Sequence, residues 1–143
     1  MASINTIADL NRVKDEALAR MQIRLGLCGS KQTCSDPKKD ILVCTGGGCI
    51  ASGAMDICAG FKEAIKSAGL EDKINIIETG CMGPCALGPV AVVWPDGVLY
   101  QGLKPADTAE IVDQHILKGE IVKRLIHAGQ ANEPEDNVEK MGF

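Results

Sequence analysis

Short branched apolar runs alternate with stretches of helical apolar spacing through the middle of the chain, a pattern that predicts an α/β unit. Ile41-Leu42-Val43-Cys44 suits a buried strand, and Ile74-Asn75-Ile76-Ile77-Glu78 suits a second. Between them Ala54, Ile57, Cys58, Phe61, Ala64, Ile65 and Ala68 recur every three or four residues. That spacing gives a helix one apolar face, and Gly69 follows as its stop. Val90-Ala91-Val92-Val93-Trp94 and Val98-Leu99-Tyr100 flank Pro95-Asp96-Gly97, whose Asp-Gly step predicts a hairpin. A last helix is expected from near Pro105 to about Lys118, with Asp107 in its first turn. Ahead of these elements, Ile4, Ile7, Leu10, Val13 and Ala17 fall among charged residues, with Ser3 as the expected cap of a helix ending near Arg20.

The order helix, strand, helix, strand, strand, strand, helix is that of a thioredoxin-like α/β fold with a preceding N-terminal helix. Residues 1–40 read as that helix and a polar connection, 41–126 as the folded domain, and 127–143 as an acidic linker or tail. A helix of ordinary crossover length between the first two strands makes them parallel, with a right-handed connection. Both strands then end at the same edge of the sheet, where open α/β sheets bind their ligands.

Composition narrows the classes. With 45% hydrophobic and 24% charged residues, the chain can bury a core, and at 3% aromatics that core must be Ile, Val, Leu and Ala. A net charge of −4 argues against nucleic-acid binding, which needs a basic face. No apolar run is long enough to span a bilayer, and the first twenty residues do not read as a signal peptide, so a cytoplasmic protein with no direct membrane insertion is expected. The 7 cysteines then matter most. An odd count without an export signal favours metal or redox chemistry over a disulfide framework.

Four of them fall at the predicted strand ends. Cys44 and Cys49 leave the first strand as C-x4-C; Cys81 and Cys85 leave the second as C-x3-C. Zinc ribbons usually pair cysteines as C-x2-C, whereas wider pairs suit a binuclear cluster. Gly46, Gly47, Gly48, Gly80 and Gly83 in the same loops let backbone N–H groups approach an inorganic core. The expected site is therefore one [2Fe-2S] cluster on Cys44, Cys49, Cys81 and Cys85, with no catalytic residues.

Val43-Cys44-Thr45-Gly46-Gly47-Gly48-Cys49, together with Gly80-Cys81-Met82-Gly83-Pro84-Cys85-Ala86-Leu87-Gly88-Pro89-Val90, resembles the thioredoxin-like [2Fe-2S] ferredoxins. These include the small cluster-bearing subunit of respiratory complex I and its relatives in hydrogenases and formate dehydrogenases. The run from Val93 to Asp107 is similar to one branch, the N-terminal ferredoxin domain of the flavin- and NAD-binding subunit of NAD-linked, often electron-bifurcating, hydrogenases. The resemblance covers about residues 41–126 and puts the family's ligands on the same four cysteines. It implies a one-electron relay without catalysis of its own, inside an NAD-dependent oxidoreductase complex. FMN and NAD would then belong only to the larger parent subunit or complex, and the partners would be other iron–sulfur and flavin/NAD-binding subunits or domains. In that branch a flavin domain follows, so the chain is expected to be one domain of a longer subunit.

Rival readings remain at this stage. Gly46-Gly47-Gly48-Cys49-Ile50-Ala51 matches G-x-G-x-x-A after a strand, with Glu78 ending the next, but a pyrophosphate pocket needs no bracketing cysteines. Structural zinc, in a metal-stabilised assembly module, is a second. A dithiol enzyme is a third, disfavoured by the lack of any C-x-x-C pair. Cys58 reads as a core residue, Cys28 and Cys34 as incidental thiols, His115 as a packed or edge histidine, and His127 as solvated.

Overall fold

The computed structural model describes residues 4, 6–21 and 39–126. The chain divides into two compact units, Met1–Pro37 and Lys38–Phe143. The expected cap Ser3, the connection with Cys28 and Cys34, His127 and the acidic tail lie outside the described residues.

In the first unit helix α1 spans Ile7–Met21. Thr6 caps it: the Asp9 N–H donates to Thr6 Oγ1 at 3.1 Å while the Thr6 N–H donates to Asp9 Oδ2 at 3.0 Å. This reciprocal exchange satisfies two N–H groups that a helix start leaves open. Ile7, Leu10, Val13 and Leu18 remain exposed.

In the second unit the strands are β1 (Lys39–Cys44), β2 (Ile74–Thr79), β3 (Ala91–Trp94) and β4 (Val98–Tyr100). They form one sheet in the order β2-β1-β3-β4. β1 and β2 are parallel, and their last residues, Cys44 and Thr79, are register partners. β3 runs antiparallel to both β1 and β4, with Gly97 at φ +67 in the hairpin turn. β1 starts two residues ahead of the expected Ile41 because Lys39 and Asp40 pair with Ile74 and Asn75.

Alternation along the strands sorts the side chains into two apolar clusters. Ile41, Val43, Val93, Val98 and Tyr100 pack with Ile57, Cys58, Phe61 and Ile65 of helix α3 (Ala54–Ser67). Ile111 and Val112 close this core from the C-terminal helix. Cys44, Cys49, Ala54, Val90, Val92 and Leu99 form the second cluster, around the cysteine loops. Fully burying a side chain such as Phe61 contributes about 1.5–3 kcal/mol, so the first cluster is what holds the sheet to its helices.

The expected helix begins at Ala54 as α3, and a short helix not expected from the sequence, α2 (Gly47–Ala51), precedes it, with Gly53 at φ +95 between them. One expectation is corrected. The last helix is α-helical only over Pro105–Ile111 (α4) and widens to a π turn over Val112–Leu117. The wider turn accompanies the placement of His115 inside the core, 2% exposed. There His115 Nδ1 lies 2.7 Å from the Tyr100 hydroxyl, and Nε2 lies 3.2 Å from Asp96 Oδ2. A hydrogen on Nε2 serves the carboxylate and leaves Nδ1 to accept from the hydroxyl.

Candidate metal centre

The parallel pairing of β1 and β2 delivers both cysteine loops to one edge of the sheet. Cys44 is the last residue of β1, and its N–H donates to the Val90 carbonyl at 3.0 Å. Cys49 sits inside α2, Cys81 follows β2, and Cys85 opens a 3-10 turn spanning Cys85–Leu87. The two loops are tied at their base: the Thr45 N–H donates to the Thr79 carbonyl at 3.0 Å, and the Thr79 hydroxyl donates to the Val43 carbonyl at 3.2 Å.

Glycine makes the closest approaches possible. A Cβ on Gly46 would stand 2.9 Å from Cys81 Cβ and 3.0 Å from its Cα, closer than non-bonded carbon atoms pack. A Cβ on Gly88 would stand 2.9 Å from Cys49 Sγ. Each loop therefore packs against a cysteine of the other, and any larger residue would push them apart.

The four thiols form two unlike pairs. Cys44 and Cys49 are 2% and 1% exposed, whereas Cys81 and Cys85 are exposed, with their Sγ atoms 3.5 Å apart. Burial raises the Cys44 thiol, but the backbone N–H groups of Gly46 and Met82 and the thiols of Cys49 and Cys81 outweigh it, leaving the group below its ordinary pKa. Cys49 goes the other way: burial and the neighbouring Cys44 thiol raise it, against one backbone contact to Val90. Cys85 is raised chiefly by the adjacent Cys81 thiol. Among the described residues no three His, Cys, Asp or Glu side chains are placed to hold a metal ion as they stand. The donors come instead as a buried pair and an exposed pair, with N–H groups aimed at sulfur and glycines at the points of contact. Thiolates are the usual ligands of iron–sulfur clusters, and N–H groups on their sulfurs are a usual means of tuning them.

The profile of the thioredoxin-like [2Fe-2S] ferredoxins matches residues 32–115. The chain belongs to this family. A 2Fe-2S ferredoxin of Clostridium pasteurianum is 39% identical over 98 residues, covering 63% of this chain and 96% of the relative. One from Aquifex aeolicus is 42% identical over 81 residues, covering 56% and 73%. The crystal structure of the wild-type thioredoxin-like [2Fe-2S] ferredoxin from Aquifex aeolicus superposes with a TM-score of 0.60 at 37% identity, covering 64% of this chain and 98% of that one. As a member of the family, the protein carries one [2Fe-2S] cluster and is an electron carrier. Among the described residues no helix is long and apolar enough to cross a membrane.

The remaining predicted positions separate cleanly. Cys58 is a core residue, 1% exposed, with burial raising its thiol. His115 is indeed packed, bonded to Tyr100 and Asp96 away from the thiols. Glu78, which the dinucleotide reading would set on a ribose, is paired with Lys62 at 3.1 Å. Gly88 is the site residue that sequence reasoning passed over. Its signal was only a glycine between Leu87 and Pro89, and contact with Cys49 exists only once the chain has folded back.

Proposed function

We propose that Cys44, Cys49, Cys81 and Cys85 are the four ligands of the cluster. We further propose that the chain relays single electrons inside a multisubunit NAD-linked oxidoreductase of the hydrogenase or formate dehydrogenase type. The observation that carries the ligand reading is the convergence of the two cysteine loops at the ends of β1 and β2. Two thiolates on one tetrahedral ion stand about 3.8 Å apart when the metal–sulfur bonds are ~2.3 Å. The 3.5 Å between Cys81 and Cys85 is close to that, so these two thiolates would suit a shared iron.

When bound, the cluster supplies one reversible Fe(III)/Fe(II) step. The chain's own residues do the rest. The Gly46 and Met82 N–H groups favour the thiolate of Cys44. Cys44 and Cys49 pack in the apolar cluster with Val90, Val92 and Leu99 and would hold the inner side of the centre there. Cys81 and Cys85, both exposed, would hold the cluster where a redox partner can approach it.

The NAD-linked setting is supported by the likeness of the run from Val93 to Asp107 to the ferredoxin domain of flavin- and NAD-binding hydrogenase subunits. In this reading residues 41–126 form the cluster domain, with 1–40 ahead of it and 127–143 as a linker. FMN and NAD sit elsewhere in the parent assembly, the partners are other iron–sulfur and flavin/NAD-binding subunits, and the compartment is the cytoplasm. The test is to isolate the native assembly that contains this chain under anaerobic conditions and add NADH. Flavin in the preparation and reduction of the [2Fe-2S] signal by NADH are expected. A chain that purifies alone, and is reduced by other proteins but not through any NADH-linked flavoprotein, would contradict the setting.

A further inference from the structure

The ligand set is strongly asymmetric. Cys44 and Cys49 are enclosed, while Cys81 and Cys85 both face solvent with their sulfurs 3.5 Å apart. A disulfide needs its sulfurs to close to about 2.05 Å, a movement of roughly 1.5 Å from here. The connecting residues can supply it. Between β2 and Cys85 there is no regular structure, and Gly83, at φ +111, already holds the loop in a conformation that other residues rarely adopt. The next residues form only a three-residue 3-10 turn. Cys44, by contrast, ends a paired strand and Cys49 lies within a short helix, so neither is free to move toward the other.

We infer that when the cluster is absent Cys81 and Cys85 form a reversible intraloop disulfide by exchange with a low-molecular-weight disulfide such as oxidised glutathione. One exposed thiolate attacks an external sulfur, releasing one small thiol and leaving a mixed disulfide. The neighbouring thiolate then attacks the protein sulfur of that bond and expels the second small thiol. Two protein thiols and one small disulfide become one protein disulfide and two small thiols, so electrons and hydrogens balance. The enclosed pair cannot be reached by the first reactant, which directs the chemistry to this loop. The product removes two of the four donors, so the empty site cannot be refilled until a dithiol reduces it, and the open thiols are kept from irreversible oxidation.

This inference rests on the ligand assignment above, and mass spectrometry separates the two. The tryptic peptide from Ile74 to Lys118 contains Cys81 and Cys85 and no other cysteine. After the cluster-free chain is incubated with oxidised glutathione, that peptide should lose two hydrogens and refuse alkylation. Reconstitution with ferrous iron and sulfide should fail until dithiothreitol is added. In Cys85→Ser the same peptide should instead retain one glutathione, because the resolving thiol is gone. The cluster-loaded chain should resist the reaction. Glutathione left on Cys81 or Cys85 in the unaltered chain, or a bond from either to a different cysteine, would overturn the inference. Formation of the Cys81–Cys85 bond at equal rates in loaded and empty protein would leave the disulfide standing and remove both residues from the ligand set.

Discussion

Each cysteine at the site has a different neighbour, and this decides what its loss would do. Cys49→Ala removes an enclosed donor and Cys81→Ala an exposed one; both are expected to lose or badly destabilise the cluster, measured as visible absorbance per chain. Cys58→Ala should keep the spectrum, since Cys58 packs against Phe61 and Ile57 in the other cluster of apolar residues. Gly46→Ala should cut cluster content as well, because its new methyl would meet the backbone of Cys81, which cannot yield like a side-chain tip. Gly88→Ala should cut it too, because its methyl would meet Cys49 Sγ at 2.9 Å and the Cys85 carbonyl at 3.3 Å. The cysteines themselves were legible in the sequence, because strand order and spacing suffice to bring them to one edge. The glycine contacts were not, since they depend on how two loops separated by more than thirty residues press together.

The helices and the hairpin carry the stability. α3 lies so close to α4 that a Cβ on Gly60 would be 2.7 Å from Thr108 Oγ1, whose hydroxyl already donates to the Pro105 carbonyl at 2.7 Å. Gly60→Ala should therefore destabilise the fold by about 1–3 kcal/mol in denaturant unfolding, despite the better helix propensity of alanine. At the hairpin, the His115 contact, backed by Lys39 at 3.0 Å, lowers the Asp96 carboxyl to about 2. A carboxyl lowered on folding adds stability that is full above its unfolded pKa, about 3.9, and is lost as pH falls through the folded value. Asp96 is 38% exposed, so solvent screening holds the contribution to about 1 kcal/mol. The stability gap between the unaltered chain and Asp96→Asn should be level above about pH 4 and vanish toward pH 2. The apolar pattern predicted every strand and helix α3 of this unit, and Pro105 with Asp107 marked where the last helix starts. It did not predict the π turn, because what draws His115 inward is Tyr100 and Asp96, residues remote from it in sequence.

For the molecule as a whole, a four-stranded sheet with helix-backed core presents one half-enclosed thiolate set at a single edge. Family membership makes the protein a [2Fe-2S] electron carrier, and Cys44, Cys49, Cys81 and Cys85 are the ligands proposed for its cluster. The most direct measurement is metal and sulfide analysis of anaerobically purified protein, joined to electron paramagnetic resonance of the reduced sample. About two irons and two sulfides per chain are expected, with an S = 1/2 signal that disappears in Cys49→Ala and Cys81→Ala but persists in Cys58→Ala. Zinc without sulfide, or an unchanged signal in the two ligand variants, would contradict the account.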